Sequence, residues 1–351
     1  MSNLPKFQTL PKLREGDKVA ILSPSFAAPG RWPHVYELGI TRLRERFGLD
    51  PVAYPMTAKL GSSKQGRAAD LIAAFANPEI KGIISTLGGD DQVTYVKDLP
   101  DEPFRSNPKP YFGYSDNTHF MNHLWLNGVP SFYGGALFTQ FAQTPEINLL
   151  TEKYLRLALF QDGEAQIEAS ERLNDMGVSW DDPDNFTKAK SYEPNPGWQW
   201  DGDADADASG VTWGGCLESI DEILRHGVRM PSLEQFEDVV LMTETSEEIP
   251  EPDYVRRVYR ALGERGILGR VRAVLVGRPK AWEFGKERSL VEKLEYRKLQ
   301  QETILATVRH YNPDIPVVQN LDFGHTNPQI CMPYGSTARL SGSRKELYVN
   351  Y

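Results

Sequence analysis

The stretch KVAILSPS, residues 18–25, decides the fold of the amino-terminal half. Its short apolar run ends in Ser-Pro-Ser, which is typical of a buried strand that leads into a turn. A helical stretch follows, and the same order recurs along the chain in VYELGITRLRERFG at 35–48, PVAY at 51–54, GRAADLIAAFANP at 66–78 and IKGIIST at 80–86. Short strands that alternate with helices predict βαβ units around a parallel sheet.

The alternation continues to a helix around LLTEKYLRLALF at 149–160, and then the composition changes. Pro, Asp, Asn, Gly and Trp are dense between 164 and 210, which is typical of a connection with a long loop. A second alternating region includes the strands VVLMT and AVLVG. We therefore predict an α/β chain with an amino-terminal domain at 1–163, a connection at 164–209 and a carboxyl-terminal domain at 210–351.

Length and charge narrow the class of protein. A chain of 351 residues favours about two domains. Acidic residues outnumber basic ones by 48 to 39, so the basic surface that nucleic acid requires is missing. The sequence has no leader pattern and no apolar run near ~18 residues, so we expect a cytoplasmic protein without a membrane partner. Cys216 and Cys331 are too few for a disulfide framework.

Ser115 lies in GYSDNT, residues 113–118, between an apolar run and a helix-like stretch. It could be a nucleophile at a strand-to-helix turn, for which the preceding Gly113 gives room. It could equally be an ordinary helix N-cap. Asn117 replaces the second glycine of G-x-S-x-G, which disfavours an α/β-hydrolase.

A serine nucleophile needs a base and a group that orients the base. His325 lies in LDFGHTNPQ, where a Thr-Asn-Pro turn could present the imidazole to a cleft, although a surface histidine fits the same pattern. Glu244 ends the apolar strand VVLMT and could be the orienting acid or a structural carboxylate. Glu247 and Glu248 look like a solvated run of charge.

GGDD, residues 88–91, follows the strand IIST and could supply backbone N–H groups to an oxyanion, or could be a tight turn. No glycine-rich phosphate motif is present, and we expect no cofactor. His119 and His123 have a spacing that could share a metal, and DGDADADAS at 201–209 lacks the glycine and glutamate of a calcium loop. We predict no metal and interpret the acidic stretch as an exposed hairpin.

Five motifs occur in order along the chain. They are LGGDD at 87–91, GYSDNT at 113–118, NPGWQW at 195–200 with WGGCLES at 213–219, LMTETSEE at 241–248 and NLDFGHTNP at 320–328. Together they resemble the LD-carboxypeptidase family of serine peptidases, and especially its microcin C immunity branch. The resemblance extends from Gly16 to about Leu340. The chain differs from the family where Tyr133-Gly134 is followed by Gly135 instead of proline.

The resemblance implies a flavodoxin-like amino-terminal domain that carries Ser115 as nucleophile. It implies a swivelling β/β/α-type carboxyl-terminal domain that carries Glu244 as acid and His325 as base. The backbone N–H groups of Gly89 and Asp116 would bind the oxyanion. The family also implies a homodimer.

The same resemblance offers two substrates, an aminoacyl-nucleotide related to processed microcin C and a murein tetrapeptide that loses D-alanine. The Trp-bearing loop, which is the part of the connection at 164–209 that carries Trp180, Trp198 and Trp200, could stack a nucleobase or pack the connection. We favour the aminoacyl-nucleotide and expect substrate contacts from Gly88, Asp90, Trp180 and Trp198. A binding module without catalysis is the alternative from another class.

Overall fold

We describe the fold from a computed structural model, which describes residues 3–202, 207–284, 286 and 288–351. The predicted acidic hairpin at 201–209 lies partly outside the described residues. No helix within these described ranges is long and apolar enough to cross a bilayer.

The first sheet has six strands, and its central strands are buried on both faces. Five of them run parallel, and the last, from near the carboxyl terminus, pairs antiparallel with its neighbour. In spatial order the strands are Met332–Tyr334, Ser131–Tyr133, Tyr111–Gly113, Ile80–Ser85, Lys18–Leu22 and Asp50–Ala53. The order of the five parallel strands is that of a flavodoxin-like sheet.

The second sheet has eight strands, of which the four central ones are parallel and the outer ones antiparallel. In spatial order they are Glu164–Ile167, Glu346–Asn350, Thr337–Ser341, Asp207–Cys216, Val239–Glu244, Ala273–Gly277, Val317–Leu321 and Gln199–Asp201. Arg172–Leu173 and Glu193–Pro194 form a separate pair. Two strands of the second sheet, 164–167 and 199–201, therefore come from the predicted connection.

Helices cover both sheets and supply much of the buried apolar surface. The α-helices are Ala28–Arg31, Pro33–Glu45, Lys64–Ala76, Glu102–Ser106, Thr118–Leu126, Leu149–Phe160, Asp184–Thr187, Leu217–His226, Pro252–Glu264 and Leu290–Tyr311. Short 3₁₀ turns lie at Gln92–Thr94, Val96–Asp98, Ser115–Asn117 and Gln235–Asp238, and a π turn at Leu137–Phe141.

The mixed α/β architecture predicted from the sequence is confirmed. The strand at 18–22 is buried along almost its whole length, and so is the strand at 239–244. Parallel strands with helices on both faces require such continuous apolar runs. The long helix from Leu290 begins with a capping box, in which Ser289 and Glu292 satisfy each other's backbone N–H groups.

The carboxyl ends of strands from the two sheets meet face to face. Tyr133 ends a strand of the first sheet, and its hydroxyl donates to Glu244 at the end of a strand of the second (2.5 Å). Beside this contact, the Cys216 N–H donates to Thr118 Oγ1 (3.0 Å). Ligand sites of such sheets lie at these strand ends, so the two halves create one crevice.

A buried ion pair holds the loop that carries His325. Arg278 and Asp322 follow neighbouring strands of the second sheet, and their side chains are fully buried and paired. The guanidinium also donates to Asn320 Oδ1 (3.2 Å) and Thr326 Oγ1 (3.1 Å). Because Thr326 adjoins His325, this pair fixes the backbone beside the imidazole.

We expect Arg278→Ala to lower the free energy of unfolding by ~3–5 kcal/mol, because it leaves the Asp322 carboxylate buried without its counter-charge. Urea denaturation followed by tryptophan fluorescence measures the change. The control is Arg256→Ala, which removes a solvent-exposed pair with Asp253 (3.1 Å). Equal losses in the two variants would contradict this account of the loop.

Candidate active site

Glu244 and His325 form a direct pair at the junction of the two sheets. The imidazole Nδ1–H donates to Glu244 Oε2 (2.7 Å), and the Glu244 side chain is fully buried. Two glycines make room for the carboxylate. A Cβ at Gly277 would lie 2.7 Å from Glu244 Cβ, and one at Gly324 would overlap Glu244 Oε2. The second sheet therefore provides a fitted site for an imidazole-carboxylate pair.

Tyr133 connects this pair to Ser115. Its hydroxyl donates to Glu244 Oε1 (2.5 Å) and accepts a hydrogen bond from the Ser115 backbone N–H (3.2 Å). Each carboxylate oxygen of Glu244 thus has its own partner, one from each half of the chain. This arrangement links the backbone of Ser115 to the imidazole of His325 through two buried side chains.

Ser115 lies in the left-handed region of backbone space, with φ 63°. Non-glycine residues adopt this conformation at a cost of order 1–3 kcal/mol, and such strain is concentrated at functional sites. Ser115 is not a helix N-cap, because Tyr114 and Asn117 occupy the N-cap positions of the two turns that follow. Ring contact between Tyr114 and His325 (centroids 4.9 Å apart) places the imidazole beside the serine.

The glycine turn packs directly against the serine. A Cβ at Gly88 would lie 2.8 Å from Ser115 Cβ and 3.5 Å from the Asp116 backbone nitrogen, and one at Gly89 would overlap Ser25 Oγ. The Asp116 carboxylate fixes the turn from below, since it accepts from Ser25 Oγ (2.5 Å) and from the Asp91 N–H (3.1 Å). Backbone N–H groups near the serine are thus held by buried contacts.

These groups open on a cleft of about 620 Å³. Ser115, His325, Gly88 and Gly89 lie in its wall. Four aromatic side chains line another part of the wall, and they pack edge to face in a row. They are Phe26, Trp32, Trp180 and Phe138, with neighbouring centroids 4.9 to 6.1 Å apart.

Of the four residues predicted to contact the substrate, two line the cleft and two lie outside its lining. Gly88 and Trp180 line the cleft. Asp90 is exposed and lies outside the cleft lining. Trp198 also lies outside it and donates its indole N–H to the buried Asp322 (3.1 Å), so this tryptophan packs the connection. The predicted roles of Asp90 and Trp198 in substrate binding gain no support from these positions.

Glu247 makes a contact that its interpretation as a solvated charge missed. Its carboxylate, although 62% exposed, lies 3.0 Å from His325 Nε2. The two glutamates therefore bracket both ring nitrogens. Burial lowers the pKa of His325, but the charges of Glu244 and Glu247 outweigh it and raise that pKa to about 10. Desolvation of the Glu247 carboxylate where it faces the ring opposes its ionisation, yet the imidazolium lowers its pKa to about 2.

In this arrangement both carboxylates favour the protonated form of His325, and its Nε2 contacts Glu247. The hydrogen bonds between described residues include none between Ser115 Oγ and His325. Because a general base must be neutral and within reach of the proton it takes, His325 can act as a base only after Glu247 releases Nε2.

One group of described residues has the side-chain types and spacing to hold a metal ion. It consists of Asp116, His119 and Glu222, whose ligand atoms lie within 4.8 Å of one another. Protein partners already use these atoms, since His119 Nε2 contacts Glu222 (3.0 Å) and Asp116 accepts the bonds given above. His123, the other member of the i, i+4 pair, packs between Phe104 and Phe120.

The pKa of His325 tests the role of Glu247. We expect Glu247→Gln to lower the pKa of His325 from about 10 by roughly 1 to 3 pH units, because one of its two negative neighbours is removed. The neutral imidazole then forms at lower pH. NMR titration of the ring protons measures it, with Glu248→Gln as the adjacent control. A pKa that is the same in both variants would contradict the bracketing contact.

A family profile described as the LD-carboxypeptidase N-terminal domain matches residues 19–134. A second, the LD-carboxypeptidase C-terminal domain, matches residues 209–340. Together the two profiles cover more than half of the chain.

Several relatives match over nearly their whole length. A Treponema pallidum (strain Nichols) protein, named provisionally as a carboxypeptidase, is 28% identical over 95% of this chain and 92% of its own. The Escherichia coli microcin C7 self-immunity protein MccF is 24% identical over 96% and 94%. An MccF-like protein from Streptococcus pneumoniae, solved in complex with AMP, has a TM-score of 0.81 at 26% identity over 96% and 99%. The chain belongs to the LD-carboxypeptidase family of peptidases.

Proposed function

We propose that this protein is a serine carboxypeptidase in which Ser115, His325 and Glu244 act together on an amide bond. The observation that carries the proposal is the buried Glu244–His325 pair (2.7 Å), which shares a cleft with a serine whose backbone is held at positive φ. The nucleophile would come from the first half of the chain, and the acid and base from the second. The domain bounds at 1–163 and 210–351 stay a prediction.

The proposed reaction is acyl transfer through a covalent intermediate. Ser115 Oγ attacks the carbonyl carbon, and His325 Nε2 takes the hydroxyl proton and then gives it to the leaving nitrogen. Glu244 holds the Nδ1–H and stabilises the imidazolium. The backbone N–H groups of Gly89 and Asp116 would bind the oxyanion, an arrangement in which one donor is typically worth ~2.7–4 kcal/mol. Water, activated by the same imidazole, then releases the acyl group.

Substrate binding would have to free His325. The exposed Glu247 carboxylate contacts His325 Nε2 in this structure. Because Glu247 lines the cleft, a bound ligand can displace its carboxylate from the imidazole. Loss of that charge leaves Glu244 as the single close carboxylate, which lowers the pKa of His325 toward the range of a useful base. Binding and activation of the base would therefore occur together.

The favoured substrate is an aminoacyl-nucleotide of the microcin C type. Its support is the row of aromatic rings that includes Trp32 and Trp180, since a nucleobase stacked on such a ring gains ~1–3 kcal/mol. MccF itself has been solved in complex with aspartyl sulfamoyl adenosine. A murein tetrapeptide that loses D-alanine is the second candidate, because its scissile amide also lies next to an anionic group, in this case a carboxylate. We keep the homodimer as a prediction.

Incubation of the protein with aspartyl sulfamoyl-adenosine and, in parallel, with a murein L,D-tetrapeptide tests the proposal. Mass spectrometry should find aspartate released from the first compound, and Ser115→Ala should abolish the release while its folding stays intact. Release of D-alanine alone would move the assignment to murein. Turnover by Ser115→Ala near the wild-type rate would contradict the serine mechanism, and binding of both compounds without hydrolysis by the wild type would indicate a binding module.

A further inference from the structure

Two lysines in the cleft have no partner of opposite charge. Lys190 comes from the Trp-bearing loop and Lys280 from the loop after the strand 273–277, and both line the cleft beside Ser115 and His325. Within the described part of the chain neither forms an ion pair or hydrogen bond, and the Lys280 ammonium lies 5.9 Å from the centroid of the Trp282 ring. Both side chains are partly buried.

Neighbouring basic groups in the same region are fully paired, which sets these two apart. Lys293 binds Asp175 (2.7 Å) and Glu193 (3.1 Å), and Arg297 binds the same two carboxylates (2.5 and 2.6 Å). Asp175 also accepts a backbone N–H. The acids that border this part of the cleft are therefore already engaged, and Glu247 contacts His325.

The electrostatics of the pair favour an incoming anion. Burial, and then the charge of Lys280, lower the pKa of Lys190 to about 8. Burial also lowers the pKa of Lys280, against the opposing influence of Glu247, Asp175 and Glu244. Two partly desolvated like charges are unfavourable until a negative group lies between them. Among the described residues, the two ammonium groups thus lack a direct ion-pair partner, whereas the other charged side chains of the cleft lining are paired.

The place of the lysines in the fold relates them to the residues proposed for catalysis. The strand that leads to Lys280 pairs with the strand that ends at Glu244, so Lys280 lies at the same edge of the second sheet as the acid. Ser115 also lines the cleft, and it follows a strand of the first sheet. A substrate that spans the cleft would place its carbonyl at Ser115 and its adjoining group near the lysines.

We infer that Lys190 and Lys280 form an anion subsite that holds the negatively charged group next to the scissile amide of the substrate. The chemistry is that of a carboxylate or a phosphoryl oxygen, and it could come from the free terminus of a peptide or from a nucleotide. This inference rests on the proposed function for the identity of the amide, but the binding of an anion does not depend on hydrolysis.

The test measures binding to Ser115→Ala protein, so no turnover is needed. Affinities are compared for AMP against adenosine and for a tetrapeptide against its C-terminal amide. The nucleotide pair differs in the presence of the anionic phosphate, and the peptide pair differs in the charge of a terminal group of nearly the same size. We expect the charged member of at least one pair to bind about 10-fold more tightly or better, and we expect Lys190→Met with Lys280→Met to erase the difference. The double Lys→Arg variant should restore it.

Control measurements distinguish the two sources of the anion, and they show whether the effect is specific to Lys190 and Lys280. Lys188→Met, on the same loop but exposed and paired with Asp184, should leave the affinities unchanged. A lysine-dependent preference for AMP identifies a phosphoryl group, and one for the free peptide identifies a terminal carboxylate. Preferences that persist in the folded double Met variant, or equal binding of charged and neutral members to the parent protein, would overturn the inference. Failure of hydrolysis by the wild type would leave these binding results intact.

Discussion

The structure depends on the hydrogen bonds to one buried carboxylate, that of Glu244. A carboxylate without partners cannot remain ionised in a protein interior, because desolvation costs more than folding can supply. One oxygen of Glu244 accepts a hydrogen bond from Tyr133 of the first sheet. The other accepts one from His325, in the loop that follows the strand 317–321 of the second sheet. The two halves must therefore come together for either to be stable at this point. The contact that joins the sheets is the same contact that orients the imidazole.

Much of this arrangement could be predicted because it follows from strand ends. Buried runs that alternate with helices specify the parallel strands, and Ser115 and Glu244 each lie where such a run ends. Tyr133 could not be assigned its role, since its bond to Glu244 depends on how the two sheets face each other. The strand 332–334 was also missed, because three residues carry no periodicity and its pairing partner lies about 200 residues away in the chain.

For some side chains near the cleft, the local sequence pattern does not predict the contacts that the side chain makes in the fold. Glu247 has the sequence context of a surface charge and is largely exposed, yet it contacts the one imidazole of the site. Trp198 has the context of a binding-loop aromatic and instead fills the connection beside Asp322. Tertiary contacts likewise determine the roles of the loop near Lys190 and of the buried pair of Arg278 and Asp322. Residue type and local spacing could not distinguish these cases.

The central claim is that Ser115 is a nucleophile activated by the Glu244–His325 pair. Its most direct test is the rate at which a fluorophosphonate modifies the protein, with the modified residue located by peptide mass spectrometry. The account predicts a single adduct on Ser115 and a rate that falls at least ~100-fold in both Glu244→Gln and His325→Ala, as expected when a serine loses its base. Modification at another residue, or an unchanged rate at Ser115 in both variants, would contradict it.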